Sequence, residues 1–166
     1  MPKKVTVAAS NRYCQARLRA AEYNDRLLSR AGAAEELPGV TEDSLKKYEL
    51  GIVKPPNDVV ALMADAYNEP ELRNWYCANE CPLGRDTQEI EFTEPERTAM
   101  RLFNAISDIQ QGVKSLFAIL DDGVIKSDEL EAISEVRQQF VESKKRIDEA
   151  LAMIEKMEKA RGPEAE

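Results

Sequence analysis

From Leu102 onward the chain carries six branched apolar residues, Leu102, Ile106, Ile109, Val113, Leu116 and Leu120, separated alternately by four and three positions. A mean period of 3.5 residues keeps one stripe of a helix turned toward a neighbouring helix along its whole length. The segment is therefore expected to form one long helix with a coiled-coil seam. Asp121-Asp122-Gly123 interrupts it, and a second pattern begins near Ser127. There Ile133, Val136, Phe140, Ile147 and Ile154 fit the same alternation, with Ser143 and Ala150 at the two seam positions between. The pair should fold back as an antiparallel hairpin over residues 94–160. Thr93 is placed to cap its first helix ahead of Glu94-Pro95-Glu96, and the tail from Lys156 to Glu166 should become progressively solvated and frayed.

The rest of the composition agrees with an all-α chain. At 166 residues and 43% hydrophobic content it can bury a core without disulfides. Only seven glycines occur, and the charged third of the chain lies in stretches rich in Ala, Leu, Glu, Lys and Arg, the good helix formers. No run approaches the 18 or more apolar residues of a membrane span, and Met1-Pro2-Lys3-Lys4-Val5 lacks the apolar stretch of a signal peptide, so a cytoplasmic protein without a membrane partner is expected. There is no histidine, no glycine-rich phosphate loop and no nucleophile in a recognisable setting, which argues against an enzyme. The acidic turn at 121–129 is not a calcium loop. With Glu129 in the last ligand position, the first and third fall on Ala118 and Leu120.

The first half of the chain breaks into shorter helices. Arg12 to about Asn24 shows an apolar stripe of Tyr13, Ala16, Leu18, Ala20 and Ala21 among Arg12, Arg17, Arg19 and Glu22. Ser29 is a good N-cap for a second helix, Arg30 to Leu37, stopped by Pro38-Gly39, and Thr41 caps a third that Gly51 ends. After Lys54-Pro55-Pro56, Asn57 or Asp58 should cap a fourth helix buried through Val59, Leu62, Met63, Ala66 and Tyr67. Pro70 opens a fifth, holding Leu72, Trp75, Tyr76, Cys77 and Cys81 and stopping at Pro82-Leu83-Gly84. Residues 10–84 thus form a five-helix domain, 85–93 a polar link whose Ile90 and Phe92 can dock, and 94–160 the hairpin.

Within that domain the run Ser29-Arg30-Ala31-Gly32-Ala33-Ala34-Glu35-Glu36-Leu37-Pro38-Gly39-Val40-Thr41-Glu42-Asp43-Ser44-Leu45-Lys46-Lys47-Tyr48-Glu49-Leu50-Gly51 carries a pattern. A small Ala34 sits where two helices would cross, Gly39 lies in the turn, Leu45 and Tyr48 point inward, and Glu49-Leu50-Gly51 precedes Pro55. Physically this is a tight helix pair joined by a glycine turn. It resembles the helix-turn-helix of the phage-repressor/Cro (xenobiotic response element) family, and the likeness covers roughly residues 12–80. The resemblance implies a sequence-specific DNA-binding transcriptional regulator whose third helix enters the major groove. Carried over by position, it implies base reading by Glu42, Asp43, Lys46 and Lys47, with Thr41, Ser44, Arg30 and Lys54 near phosphate. Arg30 and Lys47 are expected to be exposed. Glu42 and Asp43 stand where members often carry Gln, Ser, Thr or Arg, so they either accept from a cytosine amino group or simply favour the helix dipole. Pro38 is one residue extra in the turn.

Charge is uneven in a way that suits this reading. Residues 1–54 hold ten Lys/Arg against seven Asp/Glu, a net of +3, whereas the whole chain stands at −8. Double-stranded DNA is the expected partner, with a homodimer formed through the hairpin. The alternative is a non-enzymatic protein-interaction module that keeps the helix-turn-helix without specific DNA binding and uses the hairpin or the acidic surface of 55–84. Cys14, Cys77 and Cys81 are the only cysteines. Two lie one turn apart, and the resemblance packs the first helix on the fifth, so three thiols could meet to hold zinc or an iron–sulfur cluster; packing as small hydrophobes is the simpler account.

Overall fold

In the computed structural model, which describes residues 7–121, 123 and 125–161, the chain is helical, with no strand among the described residues. The helices are α1 (Val7–Ser10), α2 (Arg12–Ala20), α3 (Arg30–Glu35), α4 (Glu42–Glu49), α5 (Asn57–Ala66), α6 (Glu71–Asn79), α7 (Pro95–Leu120) and α8 (Leu130–Arg161). Single 3-10 turns, Asp25–Leu28 and Ser127–Glu129, precede α3 and α8. Met1–Thr6, Asp122, Val124 and the tail beyond Arg161 lie outside the described residues. No described helix is long and apolar enough to cross a membrane. The chain divides into two compact units that meet between Tyr76 and Cys77, inside α6, and residues 85–93 belong to the second.

In the first unit the local signals act as helix chemistry requires. Asn11 caps α2 by accepting from the backbone N–H of Tyr13 at 2.9 Å, and Ser29 caps α3 through Gly32 at 3.0 Å. The first helix nevertheless ends at Ala20 rather than Asn24, because Asn24 caps the following 3-10 turn through Arg26 N–H instead. The second ends at Glu35 rather than Leu37, whose side chain is buried in the turn. Ala33, not Ala34, is the fully buried small residue of α3. Leu18 is exposed, and Arg17 takes a place on the buried face of α2.

In α5 the buried set is Val60, Met63, Ala64 and Tyr67, so Leu62 points outward and Val59 and Ala66 only flank the core. Both this set and the expected one satisfy helical spacing, and only packing chooses between them. Neither Asn57 nor Asp58 caps this helix; Pro56 occupies the cap position without a side-chain bond. The core gathers Tyr13, Ala16, Leu27, Leu37, Leu45, Met63 and Leu72, with the Tyr13 ring edge-on to Trp75 at 5.5 Å. Arg19 bonds Glu69 at 3.0 Å, joining α2 to the segment that opens α6.

In the second unit α7 and α8 run antiparallel, with Gly112 against Phe140 and Arg101 3.9 Å from Glu149. Their seam is shifted from the expected one. Thr98, Ala105, Gly112 and Ile119 are the buried positions of α7, one every seventh residue, with Leu102, Ile109 and Leu116 half-buried between them. Ile106, Val113 and Leu120 are turned out. Small residues at the seam let the backbones approach, and a Cβ on Gly112 would stand 2.7 Å from a Phe140 ring carbon. On α8, Val136, Ser143 and Ala150 are buried, whereas Ile147 and Ile154 are exposed. The 85–93 link lies along α8: Asp86 pairs with Arg137, the Glu91 N–H donates to Glu149 at 3.3 Å, and the Lys156 ammonium sits 4.3 Å from the centre of the Phe92 ring.

Candidate nucleic-acid interface

Helix α4 is built from both ends. Thr41 accepts from the Ser44 N–H at 3.1 Å, and the two hydroxyls lie 2.9 Å apart. Glu42 and Asp43 occupy the first turn, where the exposed N–H groups favour negative charge. At the other end Gly51, with φ of +67°, lets its own N–H reach the Tyr48 carbonyl at 3.0 Å and the Ile52 N–H reach that of Lys47 at 2.9 Å. This is the paired C-terminal closure that a left-handed residue permits.

The inner face of α4 buries Leu45 and, one turn on, Glu49. Glu49 is wholly enclosed and accepts from three guanidinium N–H groups: Arg17 Nε at 2.5 Å, Arg17 Nη2 at 3.1 Å and Arg30 Nε at 2.6 Å. Arg17 also donates to the carbonyls of Leu27 and Leu28, at 2.7 and 3.1 Å. One carboxylate therefore joins α2, α3 and α4. Asn11 adds a bond from its amide to the Tyr48 carbonyl at 3.1 Å. Burial works to raise the pKa of Glu49, but the bonds and charges of Arg17 and Arg30 outweigh it and hold the carboxyl below its ordinary value. The orientation of α4 is set from behind by this cluster, and its outer face is left to Glu42, Asp43, Lys46 and Lys47, all exposed. Lys47 pairs with Asp43 at 2.7 Å, one turn apart.

The chain matches no protein-family model, no curated protein and no solved structure.

The eight positions carried over from the helix-turn-helix pattern divide into three groups. Glu42, Asp43, Lys46 and Lys47 share the outward side of α4; Thr41 and Ser44 are engaged in capping at its start; Lys54 is exposed beyond Gly51. Arg30 departs from expectation. It is only partly exposed, because its guanidinium is drawn to the buried Glu49.

Arg17, expected on the polar face of its helix, and Glu49, expected only as part of the Glu49-Leu50-Gly51 pattern, are instead paired in the interior. A signal was present: Arg17 stands four after Tyr13 and Glu49 four after Leu45, so each falls on the apolar side of its own helix. The cysteines sit differently from the expected arrangement. Cys14 is buried beside this cluster, 3.8 Å from Arg17 Nη2. Cys81 lies past the end of α6 rather than one turn along it from Cys77. No group of three or more Cys, Asp or Glu side chains disposed to hold a metal occurs among the described residues.

Proposed function

We propose that this protein is a sequence-specific DNA-binding regulator that reads the major groove with α4 and pairs with a second copy through the α7–α8 hairpin. The observation that carries the reading is the buried Glu49 cluster, which fixes one face of α4 while Lys46 and Lys47 stand outward. A groove-reading helix needs this combination, because base contacts demand a rigid presentation of a few side chains. The helix-turn-helix pattern of residues 29–51 supports it, as does the net positive charge of residues 1–54. Pairing would present two such helices to half-sites about one turn of DNA, roughly 34 Å, apart.

A second reading, a protein-contact module, draws on the acids at the exposed start of α4. Its other support is smaller than the composition suggested. Of the acids in residues 55–84, Glu69 and Glu71 are buried and Glu69 is bound by Arg19.

The test is selection of genomic DNA fragments on the full chain at two salt concentrations, followed by sequencing. Enrichment of a discrete, two-fold symmetric sequence is expected, weaker at the higher salt. Lys46→Ala should lower affinity for that sequence about tenfold without moving the melting temperature. No enrichment at the lower salt would leave the protein-contact module as the function.

A further inference from the structure

The hairpin has two apolar stripes on α7, and only one is used within the chain. The buried stripe faces α8. The other lies one position further round, at Phe103, Ile106, Val113, Phe117 and Leu120, and remains open, with Phe103 68% and Phe117 74% exposed. In an antiparallel helix pair, stepping one position on from the seam turns toward the same side in both helices. The exposed Leu151, one past the buried Ala150, therefore shares this side with the open stripe of α7, and the exposed Ile147 and Ile154 border it.

We propose that this face is the pairing surface for a second copy of the chain, with the two α7 helices crossing antiparallel about a two-fold axis. It names the face used for the hairpin pairing proposed above and rests on that part of the reading, independently of whether α4 meets DNA.

Three observations select a second copy as the occupant. The first is spacing. Counting Gln110, the open stripe advances by three, four, three, four and three residues, a series that is identical when read backward. A two-fold axis therefore brings every position into register, Phe103 beside Leu120 of the second copy, Ile106 beside Phe117, and Gln110 beside Val113. The second is area. Side chains of this size and exposure present on the order of 800 Å² of apolar surface per copy, which is about what each partner contributes to a stable interface. The third is charge. From Leu102 to Leu120 only Asp108 and Lys114 are charged. Depletion of charge marks the centre of a protein interface, whereas a helix that lies on a lipid surface carries several Lys and Arg on its polar face.

The experiment is light scattering of the full chain during size-exclusion chromatography, over loading concentrations from about 5 to about 100 µM, a range that brackets micromolar affinities. The expected mass is twice the 18.7 kDa of one chain. Phe117→Glu and Phe103→Glu should each give the single-chain mass with helical content unchanged and a melting temperature that no longer rises with concentration, since both side chains stand in solvent within one chain. Leu83→Glu, at an exposed position outside the stripe, should leave the dimer intact. Gln110→Leu, which completes the stripe, should lower the dissociation constant about tenfold. A single-chain mass at the highest concentration would overturn the proposal, as would a dimer that survives Phe117→Glu. Flotation of the chain as a monomer with phosphatidylcholine vesicles would assign the face to lipid instead. Loss of the dimer in Phe117→Glu with half-site DNA binding retained separates this surface from the α4 reading.

Discussion

Glu49 keeps its charge where water is excluded, and the cost of that burial is offset only while Arg17 and Arg30 remain bonded to it. Removing one member leaves an unpaired buried charge, so Glu49→Gln is expected to destabilise the first unit by about 3 kcal/mol near neutral pH. The pH dependence follows from the direction of the shift. The folded carboxyl is held below the ordinary 4.5, so its stabilisation is fully present above that value and is lost as pH falls through the depressed one. Thermal melts from pH 7 down to about pH 2.5 should show the gap between wild type and Glu49→Gln closing only in the acid limb. A gap independent of pH would mean that the carboxylate's charge is not what stabilises. Burial foremost, and then Glu49, push the thiol of Cys14 up, so it should alkylate far more slowly at pH 8 than the partly exposed Cys77 and Cys81. Equal protection of all three thiols by added zinc would instead indicate a shared site.

At the scale of single elements, α4 is a short helix whose ends matter more than its interior. Loss of the cap in Thr41→Ala should cost about 1 kcal/mol, measurable by denaturant unfolding. The Asp43–Lys47 pair has little effect on stability because both groups are exposed, and its consequence falls on the binding proposed for α4. Under the proposed function, Asp43→Asn releases Lys47 and removes an acid from the outward side of α4, so non-specific DNA affinity should rise several-fold; a fall in affinity for the selected sequence alone would mean that Asp43 contacts a base. In α8, Ser143 occupies a buried seam position and its hydroxyl has no hydrogen-bond partner. Ser143→Ala should therefore raise stability by about 1 kcal/mol. The seam itself shows how a periodic pattern can be legible in type and wrong in phase. Leu102, Ile109 and Leu116 belong to both the expected and the observed seams, but Ala105 and Gly112 displace Ile106 and Val113 because small side chains permit closer helices.

For the whole molecule the electrostatic balance is modest. Around α4, Asp43 occupies Lys47, Glu36 occupies Arg26 and Glu49 draws Arg30 inward, whereas Lys46 and Lys54 stand outside these pairs. Under the proposed function, about two phosphate contacts per module and two modules per site give a slope of log affinity against log salt of about −4, shallow beside strongly basic binders. A slope several times steeper would mean that other parts of the chain meet phosphate.

Much of the local structure was determined by the sequence alone. Ser29 and Thr41 cap the helices they precede, Gly51 closes α4, and the period of 3.5 announces α7 and α8, because each of these signals acts within a few positions along the chain. Tertiary structure decided what depends on distance. Val60 and Ala64 are buried in place of Val59 and Leu62, and Ala105 and Gly112 in place of Ile106 and Val113, because overlapping stripes satisfy the same spacing until a neighbour packs against one of them. The bond between Arg17 and Glu49 spans 32 positions, and no local rule pairs two charged residues so far apart. Only the packing of α2 against α4 brings that guanidinium to that carboxylate and excludes water from both.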